Sequence, residues 1–140
     1  MEITEQTILQ VERFIKKVAQ KFPTVEESEA SLLTDIHIRV SQDSGEMLAF
    51  DDDDVEITRC VVEQWIDCKD ENFYDEIADC LRGLLRKNAE IIDNLGLLKP
   101  YSFVLEDDDK QHLGELYLAD DDTIILGQDL DGFLDELLKD

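Results

Sequence analysis

The opening segment of the chain has apolar residues at helical spacing. They recur every three or four positions, which places them on one face of a helix. This face consists of Ile8, Val11, Phe14, Ile15, Val18 and Phe22. Thr4 is a suitable N-cap, and Pro23 ends the segment because proline cannot continue the helical hydrogen bonds. The pattern therefore predicts an amphipathic helix with one buried face.

The period changes from helical to alternating after an acidic connector, TVEESEAS. Apolar and polar residues alternate over 36–40, as is typical of a half-buried strand. A second short strand is predicted over 47–50. The aspartates at 51–54 end it, because aspartate favours turns. A third strand over 55–66 completes a predicted three-stranded meander.

The predicted third strand is apolar on both faces. Its odd face carries Val55, Ile57, Val61 and Trp65, and its even face includes Thr58, Cys60, Val62 and Ile66. Such a strand is typical of the centre of a sheet, with helices on one face and another chain on the other. We therefore predict a partner-binding or subunit surface formed by Thr58, Cys60, Val62 and Gln64. The alternative is that the first or last helix of the same chain covers this face.

The strongest helical pattern spans residues 72–95. Its apolar positions are Phe73, Ile77, Cys80, Leu81, Leu84, Leu85, Ile91, Ile92 and Leu95. Asn72 is a suitable N-cap, Gly96 suits a left-handed C-terminal cap, and Pro100 prevents the helix from resuming. We expect one long helix here.

Short apolar runs alternate with acidic turns beyond Pro100. The runs at 101–105, 113–118 and 123–126 predict an antiparallel meander of two or three strands. A last amphipathic helix follows, with Leu130, Phe133, Leu134, Leu137 and Leu138 on its apolar face. It is too short to persist alone, so it must dock on the sheet or on a partner.

Composition and charge narrow the class of protein. The chain has 140 residues, the size of one α+β domain over 1–140, and its apolar fraction of 43% is enough for a core. A formal net charge of −23 argues against binding nucleic acid or an anionic membrane. That charge serves either solubility alone or contact with a basic partner. Three cysteines and a polar opening segment favour the reducing cytoplasm.

Sequence signals for catalysis and metal binding are absent. The acidic runs at 51–54, 107–109 and 120–122 lack the spacing of a calcium-binding loop, and the cysteines and histidines lack zinc spacing. Nucleophile elbows, phosphate-binding loops and metalloprotease helices do not occur. We therefore predict no catalytic residue, no metal and no cofactor. Trp65 is either a binding hot spot or a core residue, and we favour the core.

The predicted elements run helix, three strands, helix, two or three strands, helix. This order resembles the type III secretion chaperone-like fold, which the YbjN family shares. The likeness is clearest in HLGELYLADDDTIILGQDLDGFLDELLKD, where two short strands across an acidic turn lead into a leucine-rich helix. The resemblance implies an antiparallel sheet backed by helices, and a scaffold or homodimer that holds another polypeptide.

These observations lead to two competing functional expectations. The first is a non-enzymatic cytosolic protein-binding module, chaperone-like in architecture, whose partner is another protein or a second copy. The alternative is an acidic charge-mimic inhibitor or immunity protein that covers a basic protein surface. The dependence of binding on salt separates the two, because exposed electrostatic contacts weaken with ionic strength.

Overall fold

The α+β class is confirmed by a computed structural model, which describes residues 3–23, 32–66 and 68–120. Within these ranges, three α-helices and five strands follow one another much as the hydrophobic pattern predicts. In chain order they are α1 (Glu5–Gln20), β1 (Ile36–Val40), β2 (Glu46–Phe50), β3 (Glu56–Val61), α2 (Phe73–Lys87), α3 (Ala89–Ile92), β4 (Tyr101–Glu106) and β5 (His112–Ala119). The predicted strand at 123–126 and the predicted last helix lie outside the described residues.

The five strands form one sheet in the order β3-β2-β1-β4-β5. The meander β1-β2-β3 and the hairpin β4-β5 are antiparallel, but β1 and β4 run parallel. The expectation of a wholly antiparallel sheet is therefore wrong at this one pair. Its cause is the long connection through α2, which carries the chain back across the sheet and adds β4 beside β1.

The third strand is shorter than predicted and lies at an edge of the sheet. It ends at Val61 and continues as a short 3-10 helix over Glu63–Trp65. The Val62 amide donates to Gly45 O at 2.8 Å, which bends the chain around the turn between β1 and β2. Trp65 is fully buried, edge-on to Phe73, so the prediction that it belongs to the core is confirmed.

The first helix begins as predicted. Thr4 is its N-cap, and the Thr7 amide donates to Thr4 Oγ1 at 3.2 Å. Its apolar face, including Val11 and Val18, is buried in the core. Local signals alone therefore account for this element.

The predicted helix over 72–95 is two helices, with a break at Asn88. Asn88 Nδ2 donates to Leu84 O and to Glu12 Oε2, which ties the break to α1. Asn72 occupies the N-cap position but makes no side-chain capping bond. Gly96 lacks the predicted left-handed conformation, and its amide donates to Phe22 O at 3.0 Å instead.

The two faces of the sheet differ in what covers them. Residues on one face pack against α1 and α2, and they include Ile36, Ile38, Val40, Met47, Ala49, Phe103 and Leu105. The other face, which we call the open face, carries His37 and Arg39 of β1 between Phe50 of β2 and Glu106 of β4. The strand register places these residues together, because successive side chains alternate across a strand.

Side chains from the two helices reach the two edge strands. Gln10 Nε2 of α1 donates to Val61 O of β3 at 2.6 Å. On the opposite edge, Arg82 of α2 donates to Glu115 O of β5 through Nε at 3.1 Å and through NH2 at 2.9 Å. The helices therefore contact the outermost backbone of the sheet as well as its face.

Candidate functional site

The four residues predicted to bind a partner lie on the helix-covered side of the sheet. Thr58 pairs with Ala49 and Cys60 pairs with Met47, and both of those partners belong to the core. Val62 is 1% exposed. Of the two coverings considered for this face, the structure shows the one within the chain, because the chain's own first helix lies against β3.

Two of these residues have a clear structural role. Gln64 Oε1 accepts hydrogen bonds from the hydroxyls of Thr7 and Thr4, which fastens the start of α1 to the 3-10 helix. Burial raises the pKa of the Cys60 thiol to about 11. At neutral pH this thiol is protonated and a weak nucleophile. A partner-binding role for the four residues stays a prediction.

A groove of ≈ 490 Å³ lies between α1 and α2. Most of its lining is apolar and consists of Ile3, Ile8, Cys80, Gly83 and Leu84. We call it the helix groove. Burial raises the pKa of the Cys80 thiol, so this cysteine behaves as a small apolar residue in the lining.

Gly83 is one of the residues that line the helix groove. It lies within α2, where glycine costs about 1 kcal/mol relative to alanine. A Cβ atom built at this position would meet nothing within 4 Å, so no internal contact requires glycine here. The missing side chain leaves open space along the helix surface.

The polar side chains that line the helix groove are acidic. They are Glu76 and Asp79, both from α2. The Asp79 side chain is 82% exposed, and its Oδ1 lies 3.6 Å from Arg82 NH1. An exposed pair at this distance contributes little to stability. The groove therefore combines an apolar floor with a negative wall.

A second feature is the pair of acidic turns at 51–55 and 107–111, which we call the first and second acidic turn. In the first, the amides of Asp53 and Val55 donate to Asp51 Oδ1 at 2.9 and 3.0 Å. In the second, the amides of residues 109 and 111 donate to Asp107 Oδ1, both at 2.9 Å. The leading aspartate of each run therefore holds its own turn.

The second acidic turn also brings three carboxylates together. Oxygen atoms of Asp107, Asp108 and Asp109 all lie within 4.8 Å of one another. The latter two residues are exposed, and Asp107 is engaged by the amides of the turn. We interpret this cluster as a group of aspartates that form the turn rather than as a cation site.

The open face carries a connected set of six charged or titratable side chains. They are His37, Arg39, Asp52, Asp54, Glu106 and Lys110, which we call the charged cluster. Its contacts include His37 Nε2 to Asp52 Oδ1 at 2.7 Å, His37 Nδ1 to Glu106 Oε2 at 2.8 Å and Lys110 Nζ to Asp54 Oδ2 at 2.7 Å. The charged cluster thus joins strands β1 and β4 to both acidic turns.

Arg39 is at the centre of the charged cluster. Its guanidinium donates to Glu106 Oε1 through Nε at 3.1 Å and through NH2 at 2.9 Å, and NH2 also donates to Asp54 Oδ1 at 3.0 Å. The same group lies 4.0 Å from the centre of the Phe50 ring. Glu106 is only 8% exposed, so Arg39 neutralises a buried carboxylate.

The protonation of His37 is set by two opposing effects. Burial lowers the pKa of the imidazole, because it disfavours the charged form. Hydrogen bonds to Asp52 and Glu106 raise it and outweigh burial, so the pKa lies above its usual value of 6.5. The folded chain therefore favours the imidazolium.

Comparisons with known proteins add no relative from which a function could be transferred. No family model, no curated protein and no solved structure matches this chain. Among residues 3–23, 32–66 and 68–120, no helix is both long enough and apolar enough to cross a membrane.

The sequence pattern did not identify the helix groove or the charged cluster. The groove joins residues near 3–8 to residues 76–84, and the cluster joins β1 to residues 15 and 69 positions away. One signal was available for the cluster. His37 and Arg39 occupy the polar face of a strand in a chain rich in aspartate, and buried or half-buried cations are usually paired.

Proposed function

We propose that this chain is a non-enzymatic protein-binding module that accepts an apolar, basic helical segment of another polypeptide in the helix groove. The observation that supports this proposal is the open groove between α1 and α2, with its apolar floor and its acidic wall. An amphipathic helix binds such a groove through apolar residues spaced three or four apart. The chaperone-like architecture implied by the sequence resemblance is compatible with this role.

The position of Gly83 supports a helix as the occupant. A glycine that no internal contact requires, at a helical position facing the groove, leaves room for close approach of a second helix. Leu84 and Ile8 line the groove and contribute to its apolar surface. The cost of glycine to α2 is then offset by the bound segment.

Charge selects a basic partner over other occupants. Glu76 and Asp79 attract lysine or arginine at the edge of a bound helix, and the net charge of −23 strengthens this attraction at long range. The same charge opposes a second copy of this chain. It also opposes residues 121–140, which contain seven acidic side chains and a single lysine. We therefore favour a different, basic polypeptide.

The test uses two synthetic helical peptides with the same leucine pattern, one bearing lysine and the other glutamate at its polar positions. We expect the lysine peptide to bind and to shift the NMR signals of Ile8, Cys80 and Gly83, while the glutamate peptide does not bind. Gly83→Leu fills the groove and should weaken binding by about tenfold or more. The matched control, Gln6→Leu, adds the same side chain at an exposed position of α1 that does not line the groove.

The same titration distinguishes the charge-mimic alternative. In that case the lysine peptide shifts signals from the two acidic turns, its binding disappears at high salt, and Gly83→Leu has no effect. Binding that resists salt but is unchanged by Gly83→Leu would also contradict our proposal. Gly83→Ala reports on folding, because it should stabilise α2 by about 0.5–1 kcal/mol without filling the groove.

A further inference from the structure

The charged cluster contains a histidine whose two ring nitrogens both face carboxylate oxygens. His37 Nε2 lies 2.7 Å from Asp52, and Nδ1 lies 2.8 Å from Glu106. A neutral imidazole has one N–H group and one lone pair, so it can donate to only one of these two oxygens. The other nitrogen would set its lone pair against a carboxylate lone pair. Only the doubly protonated imidazolium satisfies both contacts.

We infer that His37 is a proton-controlled latch, which holds the first acidic turn against the open face when it is protonated and releases Asp52 to solvent when it loses that proton. This inference concerns a different part of the molecule from the helix groove and does not depend on the proposed function.

The two carboxylates differ in their freedom to move, and this difference determines which contact opens. Glu106 is 8% exposed and is held by two N–H groups of Arg39. The Asp52 side chain is 50% exposed and lies on a turn. Neutral His37 therefore keeps its contact with Glu106, and Asp52 turns toward water. Asp54 remains paired with Arg39, so the turn keeps one of its two side-chain contacts with β1 and opens more often without leaving the open face.

The electrostatic surroundings of His37 favour its proton. Charged and titratable groups on the elements around it are Asp35, Arg39, Glu46, the aspartates at 51–54, Glu56, Arg59, Cys60, Tyr101, Glu106, the aspartates at 107–109, Lys110, His112, Glu115 and Tyr117. Carboxylates outnumber the arginine and lysine side chains in this set, so the local potential is negative. The raised pKa of His37 agrees with this environment. The latch therefore opens on the alkaline side of pH 6.5.

The experiment follows the imidazole nitrogens and the backbone amides of the intact chain by NMR from about pH 5 to 9. We expect His37 to lose its proton above pH 6.5. Across the same transition, protection factors of amides 52–55, corrected for intrinsic exchange, should fall by roughly threefold to tenfold. The backbone amides that pair β1 with β4 should keep their protection from hydrogen exchange. His112 is exposed and provides a second imidazole signal in the same sample.

Three variants complete the test. His37→Gln should leave amides 52–55 poorly protected at every pH, whereas His112→Gln should behave as the unmodified chain. Asp52→Asn should lower the pH at which His37 loses its proton. The inference is overturned if His37 stays neutral throughout the range, if the turn amides do not respond at its midpoint, or if His112→Gln abolishes the response.

Discussion

Asp51 and Asp107 open the two acidic turns in the same way, because Oδ1 of each accepts two backbone N–H groups from its own turn. The fourth residue of each turn has a left-handed backbone, with φ of 63° at Asp54 and 68° at Lys110. The charges of these fourth residues are opposite, and their side chains pair over the open face. Asp54 also pairs with Arg39.

The difference at the fourth position shows what the side chain contributes beyond the turn itself. Aspartate tolerates a left-handed conformation, whereas lysine adopts it at a cost of about 1 kcal/mol or more. Glycine would suit the backbone at both positions. The residues present are instead a matched ion pair, which links the turn after β2 to the turn after β4. The two runs of aspartate therefore share a backbone role, and the charged cluster distinguishes them.

The largest expected effect comes from Arg39, which contacts the first turn and the strand that leads into the second. Arg39→Ala leaves the buried Glu106 carboxylate without its main cationic partner, so we expect a loss of about 2–3 kcal/mol in the free energy of unfolding. Urea denaturation measures this loss. Arg59 is the control, since its side chain is 55% exposed on the same face. Equal losses for Arg39→Ala and Arg59→Ala would contradict the central role of Arg39.

The next largest loss of stability is expected from substitution of the leading aspartates, Asp51 and Asp107. Asp51→Ala and Asp107→Ala each remove an acceptor of two amide bonds, so each should lower the free energy of unfolding by about 1 kcal/mol. Matched losses are the expected result of matched turns. Asp53→Ala and Asp109→Ala serve as controls within the same acidic runs. If only one of these two substitutions lowers the free energy of unfolding, the two aspartates do not have the same role in their turns.

Substitution at the left-handed positions should separate the turns. Lys110→Gly relieves the unfavourable backbone conformation and loses only one exposed pair, so we expect a gain of about 0.5 kcal/mol. Asp54→Gly loses contacts to both Arg39 and Lys110, so its denaturation midpoint should fall. A gain at both positions would show that the ion pair does not hold the turns together.

The smallest expected effect is a dependence of stability on pH. The pKa of His37 is raised by folding, so its contribution is complete below pH 6.5 and is lost as pH rises through the folded-state pKa. Because the imidazole is partly exposed, the loss should be about 0.5 kcal/mol or less by pH 8.5. Urea midpoints of the unmodified chain should show this decline, whereas those of His37→Gln should not. A rise in stability over this interval would contradict the assigned sign.

Part of the fold and part of the charged cluster could be predicted from the sequence. The first helix, the meander and the turn role of aspartate follow from local periodicity and local hydrogen bonding, and all three were predictable. The parallel pairing of β1 with β4 was not predictable, because a strand with alternating apolar and polar residues can pair in either direction. The early end of β3 depends on Gly45, far away in sequence. The charged cluster required the strand register, which places Glu106 opposite Arg39.

The covering of β3 could not be chosen from the sequence for a similar reason. Apolar residues on both sides of a strand are as compatible with a covering helix as with a second subunit. Periodicity does not specify which of the two is present. Gln64 and Thr7 decide the matter through a contact between residues 57 positions apart.

Gln10 and Arg82 have a consequence for the behaviour of this chain at high concentration. Unpaired backbone at the outer strand of a sheet is a template for fibril growth, because a strand from another molecule adds there through the same hydrogen bonds. Here Val61 O and Glu115 O, one at each outer strand, already accept bonds from the helices. A foreign strand that adds at either edge would have to displace the helical side chain at that edge before it could pair with that carbonyl. Each of the two side chains therefore blocks one hydrogen-bonding position on its edge strand, and this block does not depend on the net charge of the chain.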